Sequence, residues 1–571
     1  MGPTMPETPK FPEEFNLADH FLFARSREGA GARVAVRFGA LSWTYDEVAT
    51  RTRQLVHAMQ TLGAPREGRV LIILPDVPPF VWSIFATLAG GWVLTMGNPD
   101  APPADLAYLV AYTRASVVIT LPRVIEAEVV QEALASAPGL VALLLVPDVA
   151  TGEDSEVDVD LSLPALQTIP RSTKVRSLAA ELRAATHEPA AVQTHRDDVA
   201  VWLFTSGSTG QSKAAIHTHR DFAFSAEVYA KRTVGYREGD VTVSVPRLYF
   251  GYATGTNLFF PFAVGGTTCL FAERPTPESL TAAIERHRPT ILTNVPTMLG
   301  KLLEHDDTRQ NKLDLGSVRF SLSAGEALPP TLLGRWNERF GPGSARGGGE
   351  VYDGIGSAEM FHIYASNRPG DVKPGSLGRV VEGYEIRILA SDADAPGGPP
   401  LPPDEIGVMW VRGDSVALGY HQDRDKSWQT FHGHWCRTGD LFRVDREGYL
   451  WFAGRVDELL KVSGLWVSPI EVEECLMQHE DVAVAAVIGV ADPSQEAGGE
   501  GGLLKPKAFV VLRDSARKKP PAAVVAALQE HCKARLSKHK YPRWIALVDD
   551  VPKNDRGKVD KKALKAREGV R

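Results

Sequence analysis

Residues 199–213 read Val-Ala-Val-Trp-Leu-Phe-Thr-Ser-Gly-Ser-Thr-Gly-Gln-Ser-Lys. The first six are apolar, β-branched or aromatic, as in a buried strand. The strand runs straight into Thr205, Ser206, Gly207, Ser208, Thr209 and Gly210, and the run closes on Lys213. Small residues let the main chain approach an anion, hydroxyls and N–H groups donate to it, and the lysine adds positive charge. A flexible Ser/Gly linker would share this composition, but linkers rarely follow a buried strand and end at lysine. The loop is not a Walker A motif, because Ser212 stands where that motif needs glycine before its lysine. The stretch therefore reads as a phosphate loop at a strand end.

Outward from it, short apolar runs alternate with helical stretches. Strands are expected at Val70–Leu74, Val93–Met96, Ser116–Thr120, Leu140–Val146, Thr267–Phe271, Thr290–Asn294 and Val318–Ser323, with helices at Phe80–Leu88 and Glu278–His287. This alternation predicts α/β layers with mainly parallel sheets. The apolar stretch from Phe80 to Met96 follows Pro78 and Pro79 and is interrupted by Ser83, Gly90 and Gly91. It predicts a buried helix and then a strand rather than a membrane span. Residues 1–15 read as a loose tail. Asp392 to Pro403 is a Pro- and Gly-rich connection. Near residue 456 the character changes, and the rest reads as a compact unit of its own. Its helices are expected at Pro469–Gln478 and Ala522–Leu536, and its strands at Val482–Ile488 and Ala508–Leu512. The predicted domains are thus 16–456 and 457–571.

Of 571 residues, 44% are hydrophobic and 23% charged, with a net charge of −7, which gives no general attraction to nucleic acid or anionic lipid. The four cysteines, Cys269, Cys436, Cys475 and Cys532, form no C-x-x-C pair, so neither a zinc site nor a disulfide framework is implied. The N-terminus lacks the basic-then-apolar order of a secretory signal. A cytoplasmic location is the expectation.

Thr205 to Lys213 resembles the signature loop of the adenylate-forming superfamily, which holds acyl-CoA synthetases, adenylation domains and firefly luciferase. Ser212 replaces its usual proline. Further elements follow in the family's order over nearly the whole chain. Ser323, Ala324, Gly325 and Glu326 resemble the segment flanking adenine. Tyr352, Asp353, Gly354, Ile355, Gly356, Ser357, Ala358 and Glu359 resemble the next motif, in which an aromatic stacks near adenine and the final carboxylate meets Mg²⁺. Ala358 replaces its usual threonine. With Glu359, Thr209 is the expected metal contact. Arg437, Thr438, Gly439 and Asp440 resemble the ribose motif, with Asp440 on the hydroxyls. Gly454, Arg455, Val456 and Asp457 resemble the hinge, with Asp457 as pivot. Pro552 to Lys558 resembles the terminal motif, whose lysine, here Lys558, enters the active site for adenylation. Ser463, Gly464, Leu465 and Trp466 resemble the segment that passes the pantetheine arm of coenzyme A.

The resemblance implies an α/β fold. A large N-terminal domain of several subdomains, layered sheets plus a barrel-like part, carries a small mobile α+β C-terminal lid. The implied substrates are ATP, coenzyme A and a carboxylic acid, with Mg²⁺. Arg247 to Gly255 and Asp353 to Ile363 look specifically like benzoate–CoA ligases and their aryl relatives. They imply a flat aromatic pocket of Ala226, Phe250, Tyr252, Gly354, Ile355 and His362. Where an apolar residue is usual near Thr254, this chain has a hydroxyl, so a substituted ring such as 2-aminobenzoate or a hydroxybenzoate is expected, with benzoate close behind. A carrier-protein pantetheine is the alternative acceptor. Partners are otherwise the small molecules, with no nucleic acid or membrane, and the protein is expected to be a monomer or homodimer.

Overall fold

The apolar run after Pro78 folds as a helix, Pro78–Ala89, with prolines in its first turn where no intrahelical N–H is needed. Every residue of this 12-residue helix is buried, and its length of about 18 Å falls well short of a bilayer core. The strand Val93–Gly97 follows. Among the described residues no helix is long and apolar enough to cross a membrane. The structure, a computed structural model, describes residues 8–206, 211–462, 465–491, 504–552 and 559–569.

The chain forms two compact units, Met1–Ile386 with Val411–Cys436, and Arg387–Trp410 with Arg437–Arg571. The first unit contains two large sheets. One has seven strands in the order Lys174–Ser177, Ala142–Leu145, Val117–Thr120, Arg69–Ile73, Val93–Gly97, Val199–Ser206 and Ser212–Thr218. All its pairings are parallel except the last, where the return strand Ser212–Thr218 runs back along Val199–Ser206. The other sheet has nine strands, and its centre, Val241–Ser244, Ile291–Asn294, Phe320–Ala324 and Glu350–Gly356, is parallel. Parallel strands buried on both faces are continuous apolar runs, which is why the sequence pattern located most of them, though not Val34–Phe38, Lys174–Ser177, Val241–Ser244 or Glu350–Gly356.

Residues 13–15, the end of the stretch read as a loose tail, pair with residues 194–196. Phe15 N donates to Thr194 O and Arg196 N to Glu13 O, and Glu14 bridges His195. These partners lie about 180 residues away, and no local pattern announces them.

The second unit carries a three-stranded sheet, Val482–Ala491, Leu504–Leu512 and Trp544–Leu547. Val472, Leu476, Val487, Val510 and Leu528 are buried in its core. Asp440–Val444 pairs antiparallel with Leu450–Arg455. That hairpin therefore groups with this unit, upstream of the change in character near residue 456. Lys561 Nζ lies 3.0 Å from a carboxylate oxygen of Glu458 and 3.0 Å from one of Glu473. Glu473 Oε1 also accepts Val487 N at 2.7 Å. All four cysteines are free and buried, and the Cys475 and Cys532 sulfurs, at 3.9 Å, are far beyond bonding distance.

Candidate active site

In open α/β sheets, ligands bind beyond the carboxyl ends of the parallel strands. Val199–Ser206 leaves its sheet there, and its return strand pairs Thr205 with Lys213 and Ser206 with Ser212. Gly207, Ser208, Thr209 and Gly210 lie outside the described residues, but the two arms that hold them are defined. Lys213 Nζ sits 4.2 Å over the ring of Tyr420. The Tyr420 hydroxyl donates to Glu359 Oε1 at 2.7 Å. Burial first, and then the Glu359 charge, push that phenol well above its ordinary range, so it stays a donor.

Tyr420 reaches this place because residues 418–421 lie along the return strand. Leu418 N donates to Ile216 O, Ile216 N to Gly419 O and His421 N to Ala214 O, at 2.9, 3.0 and 2.9 Å. Nothing in the sequence near Tyr420 marked it as a site residue. Only the pairing of residues 418–421 with the return strand brings it there.

His217, also unmarked by any motif, ties the same strand to the turn before Glu359. Its Nε2 donates to Ala358 O at 2.6 Å and its Nδ1 meets Asp221 Oδ2 at 2.8 Å. The anchor uses the main chain of residue 358, so alanine there leaves it intact. Two residues beyond Glu359, Phe361 takes φ +68°, an uncommon backbone conformation for a side chain of this size. It turns the chain from Glu359 towards His362.

Gly325 follows its strand with φ +88°, where a side chain would be strained. Ala324 ends the strand buried, and Glu326 Oε2 accepts Thr297 N at 3.0 Å and Thr297 Oγ1 at 2.7 Å. On Glu350–Gly356, alternation sends Tyr352 to one face and Asp353 and Ile355 to the other. Tyr352 packs 5.2 Å from the Phe320 ring and donates to Glu350 at 3.0 Å. It is therefore engaged with its own sheet rather than gathered with Asp353. Asp353 is buried, and burial raises its carboxyl to about 8. A Cβ at Gly354 would lie 2.8 Å from Ala365 O, so the neighbouring strand approaches only because residue 354 is glycine.

The predicted acyl-pocket residues Tyr252 and His362 come together. His362 Nε2 donates to Tyr252 O at 3.1 Å, and burial drops the imidazole to about 3. The ring is therefore neutral, and Nδ1 is left as a lone-pair acceptor. Nδ1 and the Tyr252 hydroxyl are both buried without a protein partner among the described residues. Phe260 lies edge-on to His362 at 4.6 Å. Tyr229, on the same short helix as buried Ala226, lies 5.5 Å away. Phe250 and Ile355 are half-buried. Thr254 does not offer the hydroxyl read from the sequence, because its Oγ1 donates to Leu248 O at 2.6 Å and Phe250 O at 3.0 Å. A threonine in a helical turn satisfies itself in this way.

In the second unit, Asp440 pairs in register with Arg455, whose Nη1 donates to Asp440 Oδ1 at 2.9 Å. Thr438 Oγ1 accepts Asp440 N at 3.1 Å. Asp457 lies in the turn Val456–Glu458, and Leu465 and Trp466 lie on a strand paired with Leu460–Val462. Ser463, Gly464 and Lys558 lie outside the described residues.

Residues 23–421 match the model of the AMP-binding enzyme family, and residues 471–558 match that of the AMP-binding enzyme C-terminal domain. The chain is 37% identical to a benzoate–CoA ligase of Thauera aromatica, over 98% of each chain. It is 34% identical to a 4-hydroxybenzoate–CoA/benzoate–CoA ligase of Rhodopseudomonas palustris, over 97% of this chain and 94% of that one. A crystal structure of an anthranilate CoA ligase in complex with anthranoyl-AMP superposes with a TM-score of 0.83 at 32% identity, covering 98% of both chains. With lysine, buried tyrosine and carboxylate joined beside the strand pair Val199–Ser206 and Ser212–Thr218, and with both family models matched in order, the chain belongs to the AMP-binding enzyme family.

Proposed function

We propose that this protein is an AMP-forming aryl-CoA ligase. It joins an aromatic carboxylate to the α-phosphate of ATP, releasing pyrophosphate, and then transfers the acyl group to the thiol of coenzyme A. The observation that carries the reading is the Lys213–Tyr420–Glu359 chain, in the same unit as a buried aromatic cluster holding two unpartnered polar atoms.

The first half-reaction brings a carboxylate oxygen to phosphorus inside a cluster of negative charge, so positioning and cationic stabilisation dominate. Lys213 and the N–H groups of residues 205–210 suit the phosphates, and Asp440 suits the ribose hydroxyls. Glu359 and Thr209 are the residues that would hold Mg²⁺. A lone carboxylate fits an ion that takes most of its other ligands from phosphate and water. When bound, that ion neutralises charge on the departing pyrophosphate. Lys558 would supply an ammonium to the same charge. In the second half-reaction the thiol attacks the acyl carbonyl carbon, the carbon–oxygen bond to phosphate breaks, and AMP leaves with the electron pair. Rotation of residues 457–571 about Asp457 would exchange Lys558 for the Ser463–Trp466 segment and limit hydrolysis of the adenylate.

The polar atoms of the pocket favour a ring bearing a hydrogen-bond donor. A plain phenyl ring leaves His362 Nδ1 and the Tyr252 hydroxyl unsatisfied, at a cost, whereas an amino or hydroxyl substituent pairs with them. Replacing Tyr252 with phenylalanine is expected to lower the preference for anthranilate or hydroxybenzoate over benzoate by about tenfold, with benzoate turnover little changed. Equal losses with all three acids would remove the case for the substituent. The activity itself is tested by ATP–pyrophosphate exchange with benzoate, anthranilate, hydroxybenzoates and hexanoate, followed by thioester formation with free coenzyme A. A clear preference for hexanoate would end the aryl reading.

A further inference from the structure

The helix Pro103–Thr113 packs on its sheet through Leu106, Ala107, Leu109, Val110 and Thr113, all buried. Tyr108 and Tyr112 lie one turn apart beside that face, Tyr112 packing at its edge against Val93, Trp202 and Ala214. Their rings stack at 5.1 Å and 19°, and both hydroxyls are spent on main chain. Tyr108 donates to Ser212 O at 2.8 Å and Tyr112 to His421 O at 2.7 Å. Tyr112 also accepts Ala214 N at 3.3 Å. Ser212 adjoins Lys213, and His421 adjoins Tyr420, the ring beneath the Lys213 ammonium. The paired tyrosines thus grip the strand Ser212–Thr218 and the segment 418–421 that set the lysine over the ring, each at the neighbour of a site residue. Stacking fixes one hydroxyl relative to the other, so the helix acts as a two-pronged gauge between those strands.

We infer that Tyr108 and Tyr112 are positioning residues for the nucleotide half of the site, holding Lys213 and Tyr420 in register while making no contact with substrate themselves. The inference rests on the reading of residues 205–213 as the phosphate loop. It also explains how serine is tolerated at position 212. Where proline would stiffen the arm through its ring, the Tyr108 hydroxyl holds the same carbonyl from outside.

The test uses the full chain as Tyr108→Phe, Tyr112→Phe and the double variant, with Lys213→Met alongside. Each single change is expected to raise KM for ATP about fivefold, the worth of one neutral hydrogen bond, and the double change about 25-fold. KM for the aromatic acid should stay within about twofold and the melting temperature within about 2 °C, since the rings and the buried face remain. An unchanged KM for ATP, or a parallel loss with both substrates tracking a lowered melting temperature, would overturn the positioning role. If Lys213→Met raises KM for ATP and the tyrosine variants do not, only this inference falls. If Lys213→Met has no effect, the phosphate-loop reading falls with it.

Discussion

Replacing Lys558 with alanine is expected to cut adenylate formation from acid and ATP by about 10² to 10³-fold, the usual cost of losing one transition-state donor. Thioester formation from supplied acyl-adenylate and coenzyme A should keep its rate within roughly threefold, because there the nucleophile attacks the carbonyl carbon and no anion has to approach the charged phosphorus. Two assays on one preparation decide the matter: pyrophosphate exchange, and single-turnover thioester formation. Parallel loss in both would assign Lys558 to the stability of its unit. Loss in neither would leave the first half-reaction without its mobile cation, and the charge argument would have to rest on Lys213 and the metal.

The second large effect concerns stability. Lys561 bridges Glu458 and Glu473, with side chains 16%, 31% and 11% exposed. Burial, the largest influence on Glu473, raises its carboxyl, and Lys561 opposes the shift. Lys561→Met leaves two carboxylates facing each other without the cation between them, and is expected to cost about 3 kcal/mol. The sign with pH follows from the raised Glu473. In the variant that carboxyl has lost its cation and rises further, so the folded form takes up a proton more readily than the unfolded chain. The deficit is therefore largest at pH 8 and shrinks towards pH 5 as the Glu473 carboxyl protonates. Denaturant melts of wild type and variant at both pH values measure it. A deficit independent of pH would show that lost packing of the lysine stem, rather than charge, is responsible.

The sheet was legible because it rests on local signals, apolar runs bounded by Gly, Pro and hydroxyl residues. The helix Pro78–Ala89 and the strand Val199–Ser206 fall where the pattern puts them, to within two residues. Side-chain type and motif together singled out Lys213, Glu359 and His362, and the structure places Lys213 and Glu359 on Tyr420 and His362 against Tyr252. Tyr420, His217, Tyr108 and Tyr112 act through main-chain carbonyls and ring faces contributed by segments remote in sequence, and no spacing rule encodes that. Thr254 shows the reverse error. A hydroxyl read as available to ligand is consumed by the turn that carries it. Which residues pair across the Asp440–Arg455 hairpin is likewise a matter of register, invisible to composition.

The placement of Leu418–His421 along the return strand also has a temporal side. Ser212–Thr218 is the last strand of its sheet, and on its outer edge Ala214 O, Ile216 N and Ile216 O meet their partners in residues 418–421, while Ser212 O and Ala214 N are held by Tyr108 and Tyr112. A ribosome adding 5–20 residues per second needs roughly 10 to 40 s to cover the intervening stretch of about 200 residues. For that interval the nascent chain carries an open Ala-Ala-Ile edge able to template pairing with another chain. Soluble yield should therefore depend on elongation speed and on holdase chaperones more than the finished molecule's stability would suggest.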